Sequence, residues 1–167
     1  MNIAIVDSPL QALNAIEYLN CSGLSGQCRF IVFSNLAGAD ENIKQIEFVL
    51  SHFGYTDKLV ADISGGFSGL LSSRGELEGV IRTMKGRSFT TCIVGEYRSF
   101  AARVLINSLK PSTVVFVDDG TATLRIDRRT SEYGGLKRAF AWCLGMDIKE
   151  PQVATFFSVY DIENRLS

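Results

Sequence analysis

The 167-residue sequence predicts an α/β fold, a three-layer sandwich in which helices flank a mostly parallel sheet of five or six strands. Three observations predict it. Short runs rich in Val, Ile and Phe alternate with longer runs whose apolar residues recur at helical spacing, the pattern of successive βαβ units. Several short runs, Val114 to Val117 most clearly, are apolar at consecutive positions, as in strands covered on both faces. At this length, with 46% hydrophobic residues, the chain can bury about two-thirds of its unfolded surface around one core, so residues 1–167 are expected to form a single domain.

Ile3 to Val6 is the first strand. Ser8-Pro9 then supplies an N-cap with proline at the first helical position, and Leu10, Leu13, Ala15, Ile16 and Leu19 give the helix an apolar face to about residue 20. Gly23 and Gly26 help end it. Phe30 to Phe33 is the second strand, and the helix from Asp40 to Phe53 packs through Ile43, Ile46, Val49 and Leu50 until Gly54 stops it. Lys58 to Ile63 is the third strand, followed by a loop containing Gly65, Gly66 and Gly69 and a helix from Leu70 to Lys85. Thr90 to Val94 is the fourth strand. The turn Gly95-Glu96-Tyr97-Arg98-Ser99 leads from it into a helix ending at Leu109, with Ala101, Ala102, Val104, Leu105 and Leu109 facing inward and Pro111 beyond. The fifth strand runs directly into Asp118-Asp119-Gly120. A polar loop from Arg125 to Tyr133, a helix from Leu136 to Leu144 and a final strand or extended tail from Ala154 to Tyr160 complete the chain. Right-handed crossovers would make this a Rossmann-like sheet with the first and fourth strands side by side at the topological switch point.

Composition excludes several functions. A formal charge of −1 offers no long-range attraction for nucleic acid or anionic lipid, so a nucleic-acid partner is not expected. The start, Met1-Asn2-Ile3-Ala4-Ile5-Val6-Asp7, has neither the basic region of a signal peptide nor the length of a transmembrane segment, which predicts a cytoplasmic protein, at most peripheral at the inner membrane. Cys21, Cys28, Cys92 and Cys143 show no Cys-x-x-Cys spacing, and three of the four lie in apolar surroundings, so buried free thiols are expected. The single histidine, His52, sits on an amphipathic helix, and no metal or cofactor is expected. The first βα turn, Asp7-Ser8-Pro9-Leu10-Gln11, lacks the glycine fingerprint of dinucleotide folds, and no P-loop occurs.

The strand ends at the switch point carry Asp7-Ser8 and Gly95-Glu96, with Asp118-Asp119 after the fifth strand, so the fold gathers acidic groups and a hydroxyl around one crevice. A carboxylate at such an edge can take a proton from a bound hydroxyl when burial or a neighbouring charge raises its pKa. Successive strand residues point to opposite faces, so one of Asp118 and Asp119 is expected to face the crevice while the other orients the loop or caps the next segment; which does which stays open. Gly120 lets the backbone turn sharply after the pair.

The run from Asp7 to Glu17, the turn Gly95-Glu96-Tyr97-Arg98-Ser99, and above all Val117-Asp118-Asp119-Gly120-Thr121 resemble the amino-terminal half of bacterial sialyltransferases and polysialyltransferases of the two-domain GT-B type, enzymes of capsule and lipooligosaccharide biosynthesis. The resemblance touches three segments within about the first 125 residues. It implies an acceptor-side domain in which Asp118 or Asp119 is the general base, CMP-sialic acid is the donor substrate and a glycan is the acceptor. The residues expected to meet substrate are Ser8, Gln11, Glu96, Arg98, Gly120 and Thr121. The family's His-Pro motif, which serves the donor from the carboxyl-terminal domain, has no counterpart, since His52 is followed by Phe53. The resemblance therefore implies half of a GT-B enzyme, with the donor-binding domain as a missing partner.

Each of these residues also has a plain structural reading. Ser8 is equally an N-cap, Gln11 an exposed helix residue, and Glu96 with Arg98 a scaffold ion pair. Gly65, Gly66 and Gly69 line an acceptor channel or form a connector, and Arg125, Arg128 and Arg129 track an acidic glycan or remain solvated. Two functional alternatives stand beside the transferase: a non-catalytic glycan-recognition or oligomerisation domain related to it, and a small flavodoxin-like or receiver-like signalling domain. The receiver pattern needs an acidic pair after the first strand and Lys after the fifth, where this chain has a lone Asp7 and Asp118-Asp119. A half-enzyme also exposes the apolar wall that meets its partner domain, which predicts a homo-oligomer.

Overall fold

The computed structural model describes residues 1–34, 39–63, 72–117, 135–151 and 154–158. Its elements are β1 (Asn2–Val6), α1 (Pro9–Cys21), β2 (Cys28–Phe33), α2 (Ala39–His52), β3 (Lys58–Ala61), α3 (Arg74–Met84), β4 (Thr91–Val94), α4 (Phe100–Leu109), β5 (Thr113–Val117), α5 (Gly135–Cys143) and β6 (Ala154–Phe157). The six strands form one sheet in the order β3-β2-β1-β4-β5-β6, and every neighbouring pair is parallel. The architecture is the expected Rossmann-like three-layer sandwich. The carboxyl-terminal segment, expected as a strand or a tail, is a strand: Ala154 to Phe157 pairs with Val114 to Val117 at the sheet edge.

Side-chain alternation along the strands builds two cores. Ile3 and Ile5 of β1 join Ile31, Cys92, Val94 and Phe116 on one face, where α3 and α4 cover them through Leu77, Val80, Ala101 and Leu105. Ala4 and Val6 join Phe30, Val32, Ile93 and Val115 on the other, under Ala12, Ile16 and Leu19 of α1 and Ile46 and Leu50 of α2. Helices on both faces explain why the central strands read as unbroken apolar runs instead of alternating ones. The helix after β1 and the helix after β4 therefore lie on opposite faces, the arrangement that in open parallel sheets leaves a crevice beyond the carboxyl ends of the two strands.

Two expectations about burial need correction. Periodicity places Leu10 and Leu13 on the inward side of α1, but both are exposed, and the buried side instead holds Gln11, Ala12, Asn14, Ala15, Ile16 and Leu19. Helical periodicity alone does not set the phase here, because two polar residues find partners inside while two leucines do not. Among the cysteines only Cys28 and Cys92 are buried, whereas Cys21 and Cys143 lie exposed at helix ends.

Burial pushes the Cys28 thiol from 9.0 up to about 12, with the Asp57 carboxylate adding to the rise, and burial likewise pushes Cys92 up. The folded state thus keeps these thiols protonated at pH values where the unfolded chain ionises them. Their contribution to stability is full below pH 9.0 and is lost as pH climbs toward about 12, at up to ~1.4 kcal/mol per pH unit for each thiol. Urea unfolding at about pH 8 and about pH 10.5 should show the loss, and a Cys92→Ala variant should lose less over the same interval. Equal losses in both proteins would contradict the assignment.

Candidate functional site

The crevice is built around the β1–β4 junction. The sheet ladder ends where the Gly95 N–H donates to the Ile5 carbonyl at 2.9 Å. One residue beyond β1, the Asp7 N–H donates instead to Gln11 Oε1 at 2.9 Å, and the Asp7 carbonyl accepts from Asn42 Nδ2 of α2 at 2.6 Å. Side chains from two helices therefore hold the Asp7 backbone at the point where the chain leaves the sheet. Ser8 is the N-cap of α1, with extended backbone and its Oγ accepting the Gln11 N–H at 3.3 Å, and Pro9 occupies the first turn as the sequence predicts.

Gln11 is not a surface residue. It is 2% exposed, and its amide lies against Gly95, just beyond β4. A Cβ at position 95 would fall inside van der Waals contact of Gln11 Oε1, Cδ and Cγ, the last at 2.6 Å. A side chain at residue 95 therefore fits only if the Gln11 side chain moves. Gly95→Ala should push Gln11 off the Asp7 N–H and leave that donor unsatisfied, a loss of about 1–3 kcal/mol. Thermal unfolding should read this as a Tm lowered by about 2–4 °C per kcal/mol, and an unchanged Tm would show that Gln11 repacks freely.

The turn after β4 is the second wall. Glu96 is half-buried and Arg98 exposed, while the Glu96 carbonyl accepts the Ser99 N–H at 3.3 Å. Ser99 is buried and caps α4, its Oγ accepting the Ala102 N–H at 3.2 Å. Two serine-capped helices, α1 and α4, therefore begin at the same sheet edge, one over each face. Their amino-terminal dipoles favour negative charge in the crevice between them.

Sequence reasoning passed over the residue that organises this turn. Arg103 is 1% exposed, its guanidinium lies 5.2 Å from the centre of the Tyr97 ring, and its Nη2 donates to the Tyr97 carbonyl and to Glu150 Oε1, each at 3.4 Å. The Tyr97 hydroxyl donates to the same Glu150 oxygen at 3.1 Å. The Tyr97 ring packs edge-on against Phe116 of β5 at 4.9 Å and lies 5.7 Å from Phe156 of β6. One buried cation thus joins the β4–α4 turn to the segment that precedes β6. A signal for it did exist: Arg103 is the single charge in the run Phe100-Ala101-Ala102-Arg103-Val104-Leu105-Ile106. A cation placed there must find partners inside the fold.

The structure thus brings Ser8, Gln11, Gly95 and Glu96 to one edge of the sheet. Asp118, Asp119, Gly120 and Thr121 lie outside the described residues, as do Arg125, Arg128 and Arg129 and the glycines at 65, 66 and 69. The strand that leads to the acidic pair is described to its last residue, Val117, and β5 pairs with β4 from Thr91↔Thr113 to Val94↔Phe116. Three cavities bounded by described residues lie elsewhere: about 560 Å³ beside Trp142, about 490 Å³ at the ends of α3 and α4, and about 310 Å³ at the ends of α1 and α2. Among the described residues, no group of three or more His, Cys, Asp or Glu side chains is arranged to hold a metal ion. None of the described helices is long and apolar enough to cross a membrane.

The fold is a doubly wound, all-parallel α/β domain whose topological switch point lies between β1 and β4. No protein-family model, curated protein or solved structure matches the chain.

Proposed function

We propose that this domain is the acceptor-side half of a two-domain GT-B glycosyltransferase that moves sialic acid from CMP-sialic acid to a glycan hydroxyl. One of Asp118 and Asp119 is its general base. The observation that carries the reading is the parallel order β1-β4-β5. With that order, the acidic pair comes after the strand next to the one leading into Gly95-Glu96, itself beside the strand leading into Asp7-Ser8.

In this scheme the carboxylate takes the acceptor O–H proton as the oxygen attacks the anomeric carbon, and the bond to the CMP phosphate oxygen breaks with its electron pair leaving on CMP. Ser8 and Gln11 contribute by shaping the crevice wall, because both are already engaged in holding the β1–α1 turn. Glu96 and Arg98, on the turn after β4, would contact an acidic sugar or position the acidic pair. Donor binding belongs to a partner domain.

The reading is tested with the protein at its full natural length, CMP-sialic acid and a panel of galactose-terminated and sialylated acceptors. Acceptor-dependent release of CMP with a new glycosidic product is expected. Absence of transfer to every acceptor, with the protein folded, would reject it.

A further inference from the structure

The carboxyl ends of α3 and α4 enclose a cavity of about 490 Å³. Because α4 starts after β4 and ends just before β5, this cavity lies at the amino-terminal edge of the sheet, opposite the edge that carries the β1–β4 crevice. Backbone bonds tie its two sides together: the Ser112 N–H donates to the Phe89 carbonyl at 3.2 Å and the Thr113 N–H to the Thr90 carbonyl at 2.9 Å. Its inner wall is apolar, formed by the buried Met84 and the half-buried Ile81 and Leu109.

Its rim is cationic. Arg82, Lys85 and Arg87 line the cavity, all three are exposed, and none of them meets a carboxylate of the described residues within ion-pair distance. Gly86, at a φ of 82°, turns the chain between Lys85 and Arg87, and the Arg87 N–H closes that turn on the Met84 carbonyl at 3.2 Å. One acid of the described residues lines the cavity, Glu78, and its Oε1 already accepts from Arg74 Nε at 2.8 Å. Glu76 falls on a different side of α3 by helical spacing. Behind Met84, Arg29 is neutralised by Asp57 at 2.8 Å. The two helix ends add about half a negative charge each, which leaves the rim a surplus of about two positive charges. A concave surface lined by one sign of charge concentrates small ions of the other sign.

We infer that this cavity binds a small phosphate ester with an apolar part, such as a nucleotide, its phosphate oxygens meeting Arg82, Lys85 and Arg87 and its organic part covering Ile81, Met84 and Leu109. Guanidinium groups bond phosphate through paired N–H···O contacts, and two of the three cations are arginines. The volume falls within the range of about 300–1,000 Å³ typical of small-molecule sites. None of the exposed large apolar residues, of which Leu136 and Trp142 on α5 are the most exposed, lines this cavity, so it offers nothing to insert into a bilayer and takes a soluble ligand. The inference stands apart from the transferase reading, which concerns the other edge of the sheet.

ADP and pyrophosphate serve as probes, followed by amide shifts in two-dimensional NMR spectra and by titration calorimetry. ADP should shift amides at residues 81–87 and 108–109 and bind at least about threefold more tightly than pyrophosphate, because only ADP can cover the apolar wall. Arg82→Gln and Arg87→Gln should each weaken ADP binding at least about fivefold with circular dichroism unchanged. Ser108→Glu, which adds a carboxylate to the exposed lining, should do the same. Lys44→Gln on α2, across the sheet, is the control and should leave affinity unaltered. Sedimentation with vesicles containing phosphatidic acid should leave the protein in the supernatant. Any of five results overturns the inference: no amide shifts at those residues, pyrophosphate bound as tightly as ADP, undiminished binding by all three cavity variants, an equal loss in Lys44→Gln, or pelleting with the vesicles that ADP competes away, which would make a lipid headgroup the phosphate source.

Discussion

Asp118→Ala and Asp119→Ala, made singly in the full-length protein, are expected to give opposite results. One should lower kcat by about 10²–10⁴-fold, the contribution of a positioned general base, and the other should leave turnover within a few-fold of the parent. The expected asymmetry extends the alternation of the strand that precedes the pair. Along β5, Val114 and Phe116 enter one core and Val115 and Val117 the other, so neighbouring residues serve opposite faces of the sheet. A base whose loss leaves acceptor binding intact should change kcat with KM little altered. Negligible effects of both substitutions on turnover would remove the general-base assignment. That result would leave a separate finding of acceptor-dependent transfer standing, so the base and the reaction can fail independently.

The largest loss of stability is expected for Phe116→Ala. Phe116 is buried near the end of β5, opposite Val94 of β4 and Phe156 of β6, with its ring 4.9 Å from Tyr97 and 5.3 Å from Phe156. Truncation removes a whole aromatic side chain between paired strands that cannot close the gap, which costs about 3–5 kcal/mol. Against a total of about 5–15 kcal/mol for a domain of ordinary stability, that is a large share. The expected fall in Tm is about 6–20 °C. Phe48→Ala on α2 is the control: Phe48 is largely exposed, and its loss should stay within about 0.5 kcal/mol. A Phe116→Ala protein as stable as the Phe48→Ala protein would mean that the aromatic cluster is not part of the core. Because Tyr97 loses a packing partner, the β4–α4 turn should also loosen, which amide exchange at residues 96–99 would detect.

Much of the fold was legible because strands and helices obey local apolar periodicity. Ser8-Pro9 marked the start of α1, Pro111 the approach to β5, and the runs at residues 30–33 and 114–117 the central strands, all near their observed places. The crevice was legible as a location once the strand order was inferred. Its wiring was not. Gln11 reads as an amphipathic-helix polar residue until Gly95 lies against it, and nothing in the neighbourhood of either residue announces the other. Arg103 could be suspected from its apolar neighbours, but its partners, Tyr97 and Glu150, come from a turn and from a segment beyond α5.

By itself the sequence determined the identity and order of the elements, the parallel βαβ pattern and the acidic pair that comes after the fifth strand, since each depends on side-chain size, polarity and backbone preference over a few residues. Only the tertiary structure decided the phase of α1, with Gln11 inside and Leu10 and Leu13 outside, the burial of Arg103, the exposure of Cys143 and the outward apolar face of α5. Those outcomes turn on whether a distant segment supplies a hydrogen-bond partner or a packing surface. A buried polar group without a partner is costly, and an apolar side chain is buried only where another element covers it.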